Sequence, residues 1–203
     1  MENKKQRKLI IMQSLAGMLE ERELMKITTA ELAKRSEITE AAIYKHFPSK
    51  RKIFEELVVF FEESIFSRIN GIKEETKADE FPGQLISLIL KFCEMNKGFS
   101  RILTREVFTV DEAKISDKVS NCFEKISVEI RQSLQDYERT TKKKLNLNLS
   151  STCDLLISCL EGQIQSFVRS RFKKDLSSEW QEQWIFSVSY THLRAHETST
   201  HRV

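Results

Sequence analysis

Residues 27–52 carry the side chains of this chain that are best suited to bind a polyanion such as DNA. Two threonines begin a short predicted helix, where hydroxyl groups and free backbone amides can bind a phosphate. A second predicted helix offers hydroxyl, aromatic and cationic side chains that can meet base edges and phosphates. A lysine at the start of the following helix adds another phosphate contact. The candidate DNA-binding residues are Thr28, Thr29, Thr39, Ala41, Ala42, Tyr44, Lys45, His46 and Lys50.

Helical spacing divides the second of these helices into two sides. Ile43 and Phe47 are four residues apart, so both are predicted to point inward as an anchor. Ala41 and Ala42 are small and permit close approach to a duplex. A helix of this kind fits the major groove of B-DNA, which is about 12 Å wide.

Structural roles are the alternative for several of these residues. Tyr44 and His46 would then only pack the unit, and Lys45 and Lys50 would be ordinary solvated lysines. The surrounding motif favours contact with DNA for Tyr44. His46 stands beside Phe47 and is equally suited to capping and packing.

Three short elements are predicted to position these side chains. An amphipathic helix from about Lys4 to Glu23 comes first. Thr28 and Glu31 then form a capping-box pattern at the start of the second helix. Residues 36–38 form a turn, after which a third helix begins and ends before a proline. The result is a tri-helical helix-turn-helix.

The remainder of the chain is also predicted to be helical, since the 203 residues include only five glycines and two prolines. The predicted fold class is all-α. Residues 1–48 form the helix-turn-helix domain, and residues 49–187 form a helical domain for dimerisation and partner binding.

Two helices near the C-terminus, at about 152–173 and 178–187, are predicted to form the dimer interface. Ser158, Gly162 and Ser166 lie four residues apart and allow close helix approach. Packing within a single subunit is the alternative.

Charge and composition agree with a DNA-binding end on a neutral body. The net charge is +3, yet residues 1–52 hold twelve Lys and Arg against seven Asp and Glu. The sequence contains no run of about 18 apolar residues, so no membrane span is predicted. The polar N-terminus is unlike a signal peptide. A cytoplasmic protein is expected from these features.

Metal, cofactor and catalytic chemistry are not expected. The four cysteines lack a Cys-x-x-Cys spacing and are interpreted as reduced thiols, with zinc or disulfide roles as the alternative.

His192 and His196 have a spacing that suits a metal. However, residues 188–203 resemble translated cloning sequence, so they are interpreted as a non-native or disordered tail. No motif of a hydrolase, phosphate-binding loop or metalloprotease is present, so an enzyme is not expected.

The segment Ala41 to Lys50 resembles the signature of the TetR family, in which the recognition helix ends in Tyr-x-His-Phe and a lysine opens the next helix. Residues 28–33 are similar to the family's Thr-Thr-x-x-Leu-Ala motif. The resemblance implies a dimer that binds palindromic double-stranded DNA. Many members carry glycine where this chain has Glu37, and a positive φ there would cost about 1 kcal/mol.

Residues 62–70, 100–104 and 167–173 further resemble the subgroup of nucleoid occlusion factors. This resemblance implies a protein that, while bound to chromosomal sites, engages the tail of the division protein FtsZ and antagonises ring assembly. It also implies a partner groove between the fourth and fifth helices, from which Lys91 and Met95 depart. The residues that match the groove are Phe60, Arg68, Leu88 and Asn96.

Other interpretations remain open. Arg68 could be a plain surface charge, and the Phe-rich fourth helix could be core. A TetR-type transcriptional repressor released by an apolar effector would need a closed cavity in the C-terminal domain. A purely structural helical bundle is a further alternative, which the helix-turn-helix motif disfavours.

Overall fold

The computed structural model describes residues 2–21, 27–106, 113–178 and 180–189, which form nine α-helices and no strand. The predicted all-α fold class is therefore confirmed. The helices are α1 (Glu2–Glu21), α2 (Thr29–Arg35), α3 (Glu40–His46), α4 (Lys50–Glu75), α5 (Phe81–Met95), α6 (Lys97–Leu103), α7 (Ala113–Thr141), α8 (Leu149–Arg169) and α9 (Trp180–Ser189). The expected end of the first helix at Glu23 lies outside the described residues, as does most of the tail predicted at 188–203.

Side-chain caps fix the starts of the short helices. Thr28 accepts a hydrogen bond from the backbone N–H of Glu31 at 3.2 Å, and Glu31 accepts one from the backbone N–H of Thr28 at 3.2 Å. The capping box predicted for α2 is therefore formed. Thr39 caps α3 and Ser49 caps α4 in the same manner, each through a hydroxyl oxygen.

Phe47 is the buried joint between α1, α3 and α4. Its ring is completely buried, and its extended backbone (φ −135°, ψ 114°) ends α3 before Pro48. The ammonium of Lys8 on α1 lies 5.0 Å from the centre of this ring and 3.1 Å from the carboxylate of Glu56 on α4. Ile43 is also buried, so the predicted anchor pair of α3 is confirmed.

The remaining helices pack as a bundle behind this unit. Phe61, Phe92 and Phe99 form an aromatic cluster where α4, α5 and α6 meet. α7 and α8 are antiparallel neighbours, with Ser127 and Cys153 in contact across them at 3.4 Å.

α9 is held on α5 by the side chain of Trp180. Its indole N–H donates to the carbonyl oxygen of Gly83 at 2.8 Å. A side chain on Gly83 would overlap the indole of Trp184, so glycine is needed at this crossing.

The bounds of α8 differ from those predicted. The helix begins at Leu149, earlier than the predicted 152, because Asn148 accepts a hydrogen bond from the backbone N–H of Ser151 at 2.9 Å and acts as the cap. It ends at Arg169, before the predicted 173, because Arg171 and Phe172 take φ of 55° and 61° and turn the chain away.

The sequence also predicts a short helix at about 99–108, whereas α6 covers Lys97–Leu103 and Arg105 leaves the helical region with φ 62°. α6 packs directly on α1. A Cβ atom at Gly98 would overlap the carbonyl oxygen of Ala16, so only glycine permits this approach of two backbones.

Three of the four free cysteines are buried, and Cys159 is half-buried. Burial raises the pKa of both Cys93 and Cys122 to about 12, so these thiols stay protonated at neutral pH. Among the described residues, no helix is both long and apolar enough to cross a bilayer.

Glu37 occupies the turn between α2 and α3 with φ 55°. The positive φ considered from the sequence for this position, where many related sequences carry glycine, is therefore present. A side chain in this conformation is strained, because its Cβ approaches the following carbonyl oxygen. The backbone N–H of Glu37 still donates to the carbonyl of Lys34 at 3.3 Å, which keeps the turn closed.

Replacing Glu37 by glycine is expected to raise the free energy of unfolding by about 0.5–1 kcal/mol, because relief of strain exceeds the added freedom of the unfolded chain. Urea unfolding followed by circular dichroism measures the change. Glu37→Ala is the control, since it removes the charge and keeps the Cβ. An equal gain in both variants would assign the effect to charge and contradict the strain argument.

Candidate nucleic-acid interface

The exposed side of α3 presents most of the predicted DNA-binding residues to solvent. Tyr44 is 50% exposed, and Thr39, Ala41 and Lys45 are also exposed. Ala42 is half-buried at the edge of this surface. The helix therefore offers a hydroxyl, a phenol and an ammonium on one side, while its other side rests on the core.

Tyr44 is tied to the start of α2. Its hydroxyl lies 3.2 Å from the hydroxyl of Thr29, and the two groups share a hydrogen bond. This contact joins two elements whose proximity the sequence pattern alone did not reveal. It fixes the tilt of the phenol ring and leaves a polar pair at the N-terminus of α2, a position that suits a phosphate oxygen.

Thr28 is less available than its position suggests. Its hydroxyl oxygen accepts from the backbone of Glu31, and the hydroxyl also lies 3.3 Å from the Glu31 carboxylate, to which it donates. The role of Thr28 that the structure displays is capping. His46 is half-buried at the last turn of α3, next to the buried Phe47, and it is more enclosed than Tyr44 or Lys45.

Three consecutive cations open α4, and they are not equivalent. Arg51 and Lys52 both pair with the carboxylate of Glu55, at 3.6 Å and 3.1 Å. Lys50 lies 5.9 Å from the centre of the Phe54 ring and forms no ion pair with another described residue. Lys50 therefore differs from its two neighbours in that no acidic side chain of the described residues pairs with it, and its contact with a phosphate stays a prediction.

Arg35 serves structure rather than recognition. Its guanidinium forms two hydrogen bonds of 2.6 Å with the carboxylate of Glu21, which fastens α2 to α1. The hydrogen bond that the guanidinium donates to Glu21 is the main reason that the pKa of Arg35 is raised. Sequence reasoning missed this pair, because nothing in the spacing of residues 21 and 35 signals it.

The candidate partner residues gather between α4 and α5. The guanidinium of Arg68 lies 5.3 Å from the centre of the Phe92 ring and donates to the carbonyl oxygen of Ser64 at 2.8 Å. The side-chain amide of Asn96 donates to the carbonyl oxygen of Phe92 at 2.8 Å. Arg68 and Asn96 are thus arranged around the same aromatic residue, and their role in binding a partner stays a prediction.

Apolar surface adjoins this pair. Phe60 is 37% exposed and stacks on Phe99 with ring centres 5.9 Å apart, while Leu88 is half-buried. Met95, one of the two residues that depart from the expected groove, is 73% exposed. The second, Lys91, is exposed as well. We name this surface the α4–α5 groove (Phe60, Arg68, Leu88 and Asn96).

No group of three or more His, Cys, Asp or Glu side chains in the described part of the chain is placed to hold a metal ion. The histidines at 192 and 196 lie outside that part.

Comparison with family models gives two matches that together cover most of the chain. Residues 11–57 match the model of bacterial regulatory proteins of the tetR family. Residues 83–193 match the SlmA-like model of the tetracyclin repressor-like C-terminal domain. The first match contains the helix-turn-helix. The second begins within α5 and includes α6 to α9.

Curated relatives are similar along nearly the whole length. Nucleoid occlusion factor SlmA of Shewanella baltica is 40% identical over 177 residues, which cover 87% of this chain and 90% of the relative. Nucleoid occlusion factor SlmA of a Marinomonas species is 37% identical over 186 residues, which cover 91% and 94% of the two chains.

A solved structure shares the fold at low sequence identity. The transcriptional regulator FadR from Bacillus subtilis, in complex with stearoyl-CoA, superposes with a TM-score of 0.72 over 91% of this chain and 99% of the other, at 16% identity. At that identity the likeness concerns the fold alone.

Proposed function

Because the chain belongs to the TetR family, and within it to the group of nucleoid occlusion factor SlmA, we propose that it is a nucleoid-associated, sequence-specific DNA-binding protein that antagonises assembly of the FtsZ ring. In this proposal the exposed side of α3 binds chromosomal sites and the α4–α5 groove binds the tail of FtsZ. No catalytic step is involved. The observation that carries the proposal is the exposed polar side of α3, held by Thr29 and anchored by the buried Phe47.

DNA binding would proceed by insertion of α3 into the major groove. Tyr44 and Lys45 reach outward to phosphates and base edges, and Ala41 allows close approach. Thr29 orients the Tyr44 phenol, and Lys50 adds a phosphate contact from α4. In a dimer the two copies of α3 would be about one DNA turn apart, so the site should be palindromic.

The α4–α5 groove fits a short peptide with hydrophobic anchors and a carboxylate. Phe60 and Leu88 supply apolar surface, and Arg68 supplies an exposed cation close to it. The exposed Lys91 and Met95 would alter the details of how this chain holds the FtsZ tail.

A repressor controlled by an apolar effector has less support. Such a protein needs a closed cavity for its ligand, and sites for drug-sized ligands usually hold about 300–1,000 Å³. The pocket between the end of α6, α7 and α8, lined by Leu103, Phe123 and Ile164 among others, has a volume of about 90 Å³. It is too small for an acyl chain.

Dimerisation would use the outer face of α8. A Cβ atom at Gly162 would meet no neighbouring atom within 4 Å, so this face is open in the single subunit. Leu155, two helical turns away on the same face, is 43% exposed. An apolar, small-residue face of this kind is suited to close packing against the same helix of a second copy.

Replacement of both Tyr44 and Lys50 by alanine is expected to weaken binding to a site selected from genomic DNA by at least tenfold, since phosphate contacts are lost on each half-site. Fluorescence anisotropy at moderate salt measures the affinity. Lys52→Ala is the matched control, because Glu55 already neutralises Lys52. Unchanged affinity in a double variant with a normal melting curve would refute the assignment.

Arg68→Asp is expected to weaken binding of a synthetic FtsZ-tail peptide by at least tenfold while DNA affinity stays the same, because the groove loses its cation. Titration calorimetry and the anisotropy assay give the two affinities. Arg139→Asp, at the far end of α7, is the control and should alter neither. A parallel loss of both activities in Arg68→Asp would indicate misfolding and contradict the groove assignment.

Gly162→Trp is expected to yield a monomer at micromolar concentration, because an indole on α8 would block the second copy. Sedimentation velocity measures the mass. Gly71→Trp is the matched control, since Gly71 is also within a helix and its Cβ position is also open. Persistence of the dimer in Gly162→Trp would place the interface elsewhere.

A further inference from the structure

The C-terminal end of α8 carries a dense group of cations, which we name the α8 basic cluster (Arg169, Arg171, Lys173 and Lys174). All four side chains are exposed. No ion pair joins Arg169, Lys173 or Lys174 to an acidic side chain within the described ranges. The cluster is therefore a strongly positive surface that the helix-turn-helix does not explain.

Two acidic side chains, Asp175 and Glu94, bind the loop that follows the cluster. Asp175 accepts hydrogen bonds from the backbone N–H groups of Ser177 and Ser178, at 3.1 Å and 3.0 Å. These bonds are the main reason that the pKa of Asp175 is lowered. Glu94 accepts from the backbone N–H of Leu176 and from the Ser177 hydroxyl. Both carboxylates fix the loop between α8 and α9, and neither forms an ion pair with Arg169, Lys173 or Lys174 in the described part of the chain.

A strained turn holds the cluster in place. Arg171 and Phe172 both have positive φ, a conformation that is strained for a residue with a side chain. The ring of Phe172 packs edge-on against Phe167, with centres 5.1 Å apart. On α6, the guanidinium of Arg101 and the ammonium of Lys97 lie 5.0 Å and 5.8 Å from the same ring. Two more cations therefore adjoin the cluster.

The position of the cluster follows from a chain of contacts. The end of α8 rests on α6 through Phe172, and α6 rests on α1 through Gly98 and Ala16. α1 is the first helix of the tri-helical unit. The cluster thus lies at the end of α8 that packs near α6, the helix that connects the bundle to α1. The opposite end of α8, which has 21 residues and spans about 30 Å, adjoins a second basic run at 142–144.

From this arrangement we propose that the α8 basic cluster is a second phosphate-binding surface for duplex DNA, located between the two recognition helices of a dimer. The inference rests on the proposed DNA-binding function and on the α8 dimer face, because that face brings the two α8 ends close to the two-fold axis. The phosphates would be those of the central base pairs, which α3 does not reach.

The chemistry of the surface favours a phosphate backbone over an acidic peptide. Peptide sites combine charge with apolar pockets for side-chain anchors. Here the one apolar side chain between Arg169 and Lys174, Phe172, is half-buried beneath the cations. A surface of exposed cations alone attracts a uniform polyanion and gives binding that depends steeply on salt.

The test compares two triple variants with the same charge change. Arg169→Gln, Lys173→Gln and Lys174→Gln neutralise the cluster, and Lys142→Gln, Lys143→Gln and Lys144→Gln neutralise the basic run at the other end of α8. Affinity for a 30-base-pair duplex that contains a selected genomic site is measured by anisotropy across about 50–200 mM salt. Thermal melts establish that both variants fold.

The cluster variant is expected to bind about tenfold more weakly at the lowest salt, with a slope of log K against log salt shallower by about 2. The 142–144 variant should match the wild type. Equal effects of the two triples would overturn the proposal, since net charge alone would then act. No effect of either would overturn it too, and weaker retention of the cluster variant on polyglutamate would then assign the surface to an acidic protein. Failure of the wild type to bind any duplex would instead contradict the proposed function.

Discussion

The burial of Phe47 is the constraint on which the rest of the interface depends. Its ring fills the junction of α1, α3 and α4, and the Lys8–Glu56 pair closes over it. Because α3 has only seven residues, it cannot hold its own conformation in water. Tertiary packing of Phe47 and Ile43 must supply that stability, and it also decides which side of α3 stays exposed. Recognition by α3 is thus a consequence of what lies beneath it.

The helices that pack around Phe47 carry two surfaces of different chemistry. The exposed side of α3 is polar and cationic, whereas the α4–α5 groove combines aromatic surface with Arg68. α4 connects them, because Lys50 stands at its first turn and Arg68 further along the same helix. One continuous helix therefore joins the proposed DNA contact to the proposed partner site, and α4 is the direct structural connection between them.

Local signals in the sequence were sufficient for the caps and the breaks. The capping box of Thr28 and Glu31 and the end of α3 before Pro48 were both predicted, since each depends on residues close in the chain. Contacts between residues that are far apart in the sequence were not predicted. The attachment of Arg35 to Glu21 and the turn at Phe172 depend on surfaces that only the folded chain brings together, as does the placement of Thr29 beside Tyr44.

The crossing of α1 and α6 at Gly98 has a consequence for the entropy of association. Because a Cβ atom at Gly98 would overlap the carbonyl oxygen of Ala16, the two backbones are in direct contact, and this contact disfavours hinge motion between α1 and the bundle. In a symmetric dimer, the distance between the two recognition helices would then be set by the dimer interface and not by a flexible hinge within each subunit. Such preorganisation lowers the conformational entropy that the dimer loses when it binds DNA. It also means that the dimer would bind less well to DNA whose half-sites have a different spacing.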